Sequence, residues 1–311
     1  MRMNQKNNDR LEASIKAFED QLNKKVMSLH SEVPDTLYHY TTPEGLLGIL
    51  SSDSIRFSNV KFLNDESELV HARQIISYII NKKKNDYKDE LFVDILNRVF
   101  NFYDGIFDPY IACFSENGDL LSQWRGYAAG GMGYSIGFKG KEIGSYFDVL
   151  LRKVEYDLDK QINIITETLD GMYSLFINIK DSDETVEKND LIEQFVISLA
   201  YQFADYMLWF KHPTFSEEKE WRAIRFHHSY LWDSVDYSSL EFKIITGRVV
   251  PYMTLKASGS NGNIIKKLPI TKIIHGPTLN PDLTKQSLDL IIKKFGFNDV
   301  IIDGSTVPLR L

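Results

Sequence analysis

The stretch FSEEKEWRAIR at residues 215–225 decides what fold and what kind of site the sequence predicts. Read as a β-strand, its two-residue period places Glu218, Glu220 and Arg222 on one face and Trp221 on the other. The bulky and branched residues of its second half favour a strand over a helix. Because unpaired charges are costly to bury, two carboxylates and a guanidinium that project together predict the wall of a site.

Composition limits the classes of protein that carry this strand. The chain has 311 residues, of which 43% are apolar and 25% charged, as in ordinary globular proteins. The net charge of −7 does not indicate nucleic-acid binding by the whole chain, although a local basic groove stays open. The single cysteine, Cys113, excludes an intramolecular disulfide and a cysteine-based zinc site. Because no apolar run approaches membrane-spanning length, we expect a cytoplasmic protein with no membrane partner.

Helical periodicity divides the chain into regions. Residues 1–34 predict an N-terminal helix that either packs on the domain or mediates a homodimer. Residues 35–311 predict a single α+β domain, because strands and helices interleave irregularly. Apolar residues at three- and four-residue steps predict an antiparallel helical pair, inserted at about 158–212.

Shorter signals surround the candidate site. Residues 37–41 predict a strand with His39 at its centre, where a histidine is either structural or functional. Thr42 and Pro43 are typical of the cap and first position of the helix that follows. Asp65 and Glu68 predict an acidic capping box for a helix over 66–81.

Residues 109–138 predict a strand, a turn, a short helix, a glycine-rich loop and a second strand. Trp124 and Tyr127 lie three apart on the short helix, so they either stack on a planar ligand or fill core. Residues 55–63, 242–250 and 270–277 predict further strands. The pair His227 and His228 is a poor metal site, since adjacent strand residues point to opposite faces.

Six motifs, taken in order, resemble a bacterial domain-of-unknown-function family, the one numbered twenty-nine seventy-one. They are Tyr38–Thr41, Phe62–Asp65, Cys113–Glu116, Ser122–Tyr127, Gly133–Phe138 and the Glu-x-Glu-x-Arg pattern at 218–222. The likeness covers roughly residues 36–310. The pattern is similar, more distantly, to the ADP-ribosyltransferase superfamily. That likeness implies a central mixed or antiparallel split sheet, with the N-terminal helix and the helical pair added to it.

The distant resemblance implies roles for the first and second motifs. His39, followed by Tyr40 and Thr41, would match the first motif and hydrogen-bond the nicotinamide ribose of NAD. Tyr127 or Trp124 would match the second motif and stack on nicotinamide.

The charged residues complete the implied site. Glu220 would be the catalytic glutamate, since a carboxylate stabilises the oxocarbenium ion that develops when the nicotinamide–ribose bond breaks. Glu218 would act as general base on the acceptor. Arg222 and Arg125 are candidates for bidentate contacts with the NAD pyrophosphate.

The first functional hypothesis is an NAD-dependent ADP-ribosyltransferase-like enzyme, a toxin or phage-defence effector that modifies a protein or nucleic-acid acceptor. NAD is then a substrate, and no metal is expected. This hypothesis requires His39 and Glu220 to project from the same side of the sheet and to meet across one cleft. A second hypothesis is a non-catalytic sensor that binds a nucleotide or a partner. A third is a metal-dependent hydrolase or nuclease that uses Glu218, Glu220 and His39. A plain alternative is that the two glutamates form a solvated face.

Overall fold

A computed structural model describes most of the chain. The described ranges are 2–29, 32–62, 66–182, 187–228, 237–245, 247–256, 267–278 and 280–308. The helices within them are α1 (Arg2–Leu29), α2 (Pro43–Ser52), α3 (Glu66–Lys83), α4 (Glu90–Ile106), α5 (Leu121–Tyr127), α6 (Gly140–Phe147), α7 (Leu158–Ser182), α8 (Lys188–Trp209) and α9 (Pro281–Phe295). The strands are β1 (Thr36–Thr41), β2 (Ile55–Asn59), β3 (Phe107–Ser115), β4 (Tyr134–Lys139), β5 (Leu150–Lys153), β6 (Glu220–His228), β7 (Leu240–Ile245), β8 (Arg248–Leu255), β9 (Ile270–His275) and β10 (Ile301–Gly304).

The central sheet is mixed, because β9 and β10 pair in parallel whereas β1, β3 and β4 pair antiparallel. The predicted α+β class is therefore confirmed. Strand β3 organises the sheet. Along one edge it pairs with β6 over its whole length, and β6 pairs with β5. Its other edge is shared, since β1 pairs at Ser115 while β2 pairs at Tyr110 and Ile111. Two wings, β1–β4–β9–β10 and β2–β8–β7, thus diverge from one edge of β3.

Two large apolar cores lie in the part of the chain that the structure describes. Strands β1–β4 and β6 pack their buried side chains, such as Leu37 and Trp221, against α2, α6 and α9. A second core lies among α1, α3, α4, α7 and α8 and includes Leu169 and Phe195. The predicted helical pair is present as α7 and α8, and α8 also packs on α4.

The N-terminal helix α1 packs on α7 and α8 of the same chain. Its residues Leu11 and Val26 are buried there, and the Ser198 hydroxyl donates a hydrogen bond to Glu19. Packing on the domain is the first of the two roles predicted for this helix. A homodimer contact through α1 stays a prediction.

The opening stretch is not one strand, so that part of the prediction is wrong. Pro213–Glu218 forms a 3₁₀ helix, capped where His212 accepts a hydrogen bond from the Thr214 amide. Lys219 then adopts a left-handed conformation with φ 44°, and β6 begins at Glu220. Glu218 therefore approaches the site from a turn rather than along the strand. The physical reason is that Phe210 pairs in parallel with Glu155, just after β5, whereas β6 runs antiparallel to β5, so the chain reverses direction between Phe210 and β6.

Two other strand predictions are also corrected. The single strand over 242–250 is the hairpin β7–β8, which turns at Gly247. Gly247 has φ 79°, a conformation that glycine adopts without steric cost. The strand over 55–63 ends at Asn59, where a short 3₁₀ helix follows. The predicted capping box of Asp65 and Glu68 lies outside the described side chains.

We find no helix in the described ranges that is both long and apolar enough to cross a membrane.

Candidate functional site

A cavity of about 820 Å³ lies where β1 and β2 diverge from β3. Its volume is within the range of roughly 300–1,000 Å³ that is usual for small-molecule sites. Both wings, β6 and α2 contribute to its walls. Seven of the residues predicted from the sequence line it: His39, Tyr40, Thr41, Tyr127, Glu218, Glu220 and Arg222.

His39 bridges the gap between the two wings. Its Nδ1 donates a hydrogen bond of 2.9 Å to the carbonyl of Cys113, which lies between the β3 residues that pair with β1 and with β2. A carbonyl only accepts, so Nδ1 carries the proton and Nε2 is an acceptor. Burial is the main cause that lowers the pKa of His39, and nearby Lys243 lowers it further, so the ring is neutral at neutral pH.

Glu220 is the centre of a buried ion cluster. It is 6% exposed, and Arg222 binds it through Nε–Oε1 at 2.7 Å and Nη2–Oε2 at 3.0 Å. Lys211 Nζ donates to Glu220 Oε2 at 3.0 Å and to Glu218 Oε2 at 2.6 Å. Two carboxylates thus meet two cations. Burial alone would raise the pKa of Glu220, but Arg222 and Lys211 hold it at about 2.

Cys113 contacts two of the three predicted catalytic side chains, Glu220 and His39. Its thiol hydrogen-bonds the Glu220 carboxylate, while its carbonyl accepts from His39. Strand register places Cys113 opposite Arg222, on the sheet face that also carries Glu220. His39 alternates onto the other face, where its ring lies 5.7 Å from that of Phe114. The expectation that His39 and Glu220 project from the same side of the sheet is therefore wrong. Both still line one cavity, because the cavity occupies the gap between the wings and is lined from both faces of β3, by Cys113 and by Phe114.

The two candidate aromatics are placed differently. Tyr127 is half-exposed at the cavity, where burial and the charge of Glu218 raise its pKa. Trp124 is fully buried and does not line the cavity. Its Nε1 donates to Asp119 Oδ1 at 2.7 Å, and its ring meets that of Tyr40 edge to face at 5.1 Å. Tyr127 is therefore the aromatic of this pair that lines the cavity.

The two arginines predicted for pyrophosphate are also placed differently from each other. Arg222 is 2% exposed and donates Nη1 to the Leu208 carbonyl at 2.9 Å, in addition to its two bonds to Glu220. Its contacts hold the carboxylate in place. Arg125 is exposed and lies outside the cavity lining.

Sequence reasoning missed several residues of the site. Lys211 lies two residues beyond the end of α8, and nothing in the local pattern indicates that it pairs with two glutamates. Tyr156, whose hydroxyl accepts from the Glu220 amide at 3.1 Å, was also missed. Three further cations line the cavity: Arg56, Lys243 and Lys256. Of these three cations, only Arg56 has a signal in the sequence. It alternates with Ile55 and Phe57, which are buried, so it projects from the other face of β2.

Fold and site together define an α+β protein whose divided sheet surrounds a charged cavity. Residues 123–223 match a family model described as Protein of unknown function (DUF2971). The matched segment includes Tyr127, Lys211, Glu218, Glu220 and Arg222. No curated protein and no solved structure matches the chain. Across the described residues, no three His, Cys, Asp or Glu side chains are grouped so that they could hold a metal ion.

Proposed function

We propose that this protein is an ADP-ribosyltransferase-like enzyme that cleaves the bond between nicotinamide and ribose in NAD and transfers ADP-ribose to a macromolecular acceptor. The observation that carries the proposal is that one cavity collects His39, Tyr127 and Glu220 from three separate elements. The divergence of two wings from β3 supports the resemblance to the split sheet of ADP-ribosyltransferases.

The ionised state of Glu220 suits this chemistry. As the glycosidic bond breaks, its electron pair passes to the nicotinamide nitrogen, and positive charge develops on the ribose as an oxocarbenium ion. A fixed, desolvated carboxylate stabilises that charge. With a pKa of about 2, Glu220 is ionised at neutral pH. The acceptor nucleophile then bonds to ribose C1′ and gives its proton to Glu218.

Ribose binding requires an exchange of partners at Glu220. A carboxylate offers about four lone-pair sites, and Glu220 already meets two donors from Arg222, one from Lys211 and the Cys113 thiol. The thiol is the weakest of these donors, so a ribose hydroxyl replaces it. Nε2 of His39 accepts from a second hydroxyl. The ring of Tyr127 stacks on nicotinamide.

A second function, a nucleotide sensor without catalysis, is favoured by one specific observation. The charges of Glu218 and Glu220 are balanced by Lys211 and Arg222, and Glu220 already has a full set of donors. A sensor of this kind would bind NAD in the cavity and release it unchanged.

The test uses NAD that carries a label in its ADP-ribose half. The protein is incubated with it, with and without cell extract, and both nicotinamide release and labelled macromolecules are followed. We expect Glu220→Gln to lower nicotinamide release by about 100-fold, the size of effect seen when one electrostatic contact to a transition state is removed. Glu217→Gln, an exposed change on the same 3₁₀ helix, is the matched control and should have no effect.

Tyr127→Ala is a second test that does not disturb the buried cluster. It should raise KM for NAD more than it lowers kcat, because stacking acts mainly on binding. Folding of each variant is checked by circular dichroism. A folded wild-type protein that binds NAD but releases no nicotinamide would establish the sensor and reject the enzyme.

The proposal extends to a role as a toxin or phage-defence effector in the bacterial cytoplasm. Expression of the wild-type chain should then arrest growth, and expression of Glu220→Gln should not. Digestion of the labelled products with protease or nuclease would identify the acceptor as protein or nucleic acid. Equal growth arrest by both chains would contradict a toxic transferase.

A further inference from the structure

One wall of the cavity, formed by β2, β7 and β8, carries cations that the proposed chemistry does not use. Arg56 on β2 lies opposite Thr254 on β8, and Lys243 on β7 lies opposite Val250, which is also on β8. Directly opposed residues share a face, so Arg56 and Lys243 project together. All four of these residues and Lys256 line the cavity.

Arg56 and Lys243 both make cation–π contacts with the ring of Tyr252. The guanidinium carbon of Arg56 is 4.9 Å from the centre of the Tyr252 ring, and Lys243 Nζ is 5.6 Å from it. Lys243 also donates a hydrogen bond of 3.0 Å to the Ser58 hydroxyl. Burial, and then the neighbouring charge of Arg56, lower the pKa of Lys243. An anion between the two side chains would relieve that repulsion.

The balance of charge differs between two parts of the cavity. Around Glu220, two carboxylates face two cations. On the wall formed by β2, β7 and β8, Arg56, Lys243 and Lys256 line the cavity together with Glu241, and Glu44 of α2 lines it as well. Both carboxylates are exposed, and Glu241 already accepts a hydrogen bond of 2.9 Å from the Tyr252 hydroxyl. This wall therefore has an excess of positive charge.

We propose that Arg56 and Lys243 form a diphosphate-binding subsite, which takes the phosphates of a nucleoside diphosphate. The Arg56 guanidinium offers paired donors that match phosphate oxygens, and Lys243 supplies a point charge beside the Ser58 hydroxyl. Lys243 lies within electrostatic reach of His39, so the subsite is on the path of a ligand that extends to that ring. The inference deepens the proposed function by assigning the phosphate end of its substrate, although it requires binding only.

Calorimetry with ADP, adenosine and inorganic phosphate tests the subsite. ADP lacks nicotinamide, so its binding does not depend on the cleavage reaction. We expect ADP to bind at least 10-fold more tightly than adenosine, with an affinity that falls as salt increases. Lys243→Met and Arg56→Gln should each weaken ADP binding at least 10-fold and leave adenosine unchanged. Lys272→Met, on β9 and paired with Asp303, is the control and should leave ADP binding unchanged.

Three results would overturn the inference. They are equal affinity for ADP and adenosine, unchanged ADP binding in both variants, and binding of inorganic phosphate without binding of ADP. Because Arg56 is exposed, Arg56→Gln keeps the test valid if Lys243→Met fails to fold. ADP binding without nicotinamide release from NAD rejects the enzyme alone. If nicotinamide is released from NAD and neither substitution weakens ADP binding, the subsite is rejected and the enzyme is not.

Discussion

Removal of Arg222 should reveal how strongly the buried ion cluster depends on its charges. Arg222→Met keeps an apolar stem but deletes the bonds of 2.7 and 3.0 Å to Glu220 and of 2.9 Å to the Leu208 carbonyl. In this variant Glu220 stays buried, and of the two cations described above only Lys211 is left to pair with it. Breaking a buried pair by removing one partner costs about 3–5 kcal/mol. We expect that loss in the free energy of unfolding at pH 7.

The pH dependence of this loss gives a second readout. In the wild type, the pKa of Glu220 falls from 4.5 to about 2 on folding, so its contribution is present above pH 4.5 and is lost as the pH falls toward 2. Without Arg222 the folded-state pKa rises, because the largest favourable charge is gone. The difference in stability between the two proteins should therefore shrink between pH 7 and pH 4.

Urea unfolding followed by tryptophan fluorescence measures both effects. Arg225→Met is the matched control on the same strand, since Arg225 pairs with Asp148 where their side chains are 41% and 76% exposed. Exposed pairs contribute little, so the control should change stability by less than about 1 kcal/mol. If Arg222→Met lowers the free energy of unfolding no more than Arg225→Met does, the buried ion cluster does not contribute the stability predicted for it.

Three further predictions test other parts of the structure. Burial lowers the pKa of His39 below 6.5, so stability should fall as the pH drops below about 6.5, and His39→Gln should remove that part of the slope in thermal melts. Trp124→Phe loses the indole N–H bond and should cost about 1 kcal/mol in urea unfolding while kcat for nicotinamide release is unchanged, since Trp124 lies outside the cavity. Gly133→Ala should destabilise by roughly 1–3 kcal/mol, because its Cβ would lie 2.3 Å from the Thr41 carbonyl oxygen, whereas Gly126→Ala meets nothing within 4 Å and should be tolerated. The three arguments would be contradicted, respectively, by a Gly133→Ala variant as stable as wild type, by a Trp124→Phe variant with a lowered kcat, and by a His39→Gln variant whose stability keeps the wild-type slope with pH.

Local signals in the sequence determined much of the fold. Thr42 and Pro43 begin α2 as predicted, and the Thr42 hydroxyl accepts from the Gly45 amide at 3.1 Å. The apolar periodicities over 158–212 agree with α7 and α8, because apolar residues at three- and four-residue steps stabilise a helix that packs against a core. The turn at Lys219 was not predictable, since lysine rarely adopts positive φ and carries no signal for it.

The site was only partly accessible from the sequence. Alternation along the strand correctly placed Glu220 and Arg222 on one face, but not their direct contact with each other. The pairing of Lys211 with both glutamates depends on how α8 ends beside β6, which is a tertiary relationship. The same holds for Arg56 and Lys243, which come from strands far apart in the chain.

The most direct test of the proposed function is the initial rate of nicotinamide release from NAD, measured for wild type, Glu220→Gln and Glu217→Gln in the presence of cell extract. We expect release by wild type and Glu217→Gln at equal rates, and release by Glu220→Gln about 100-fold slower. No release by folded wild-type protein, or equal release by all three, would contradict it.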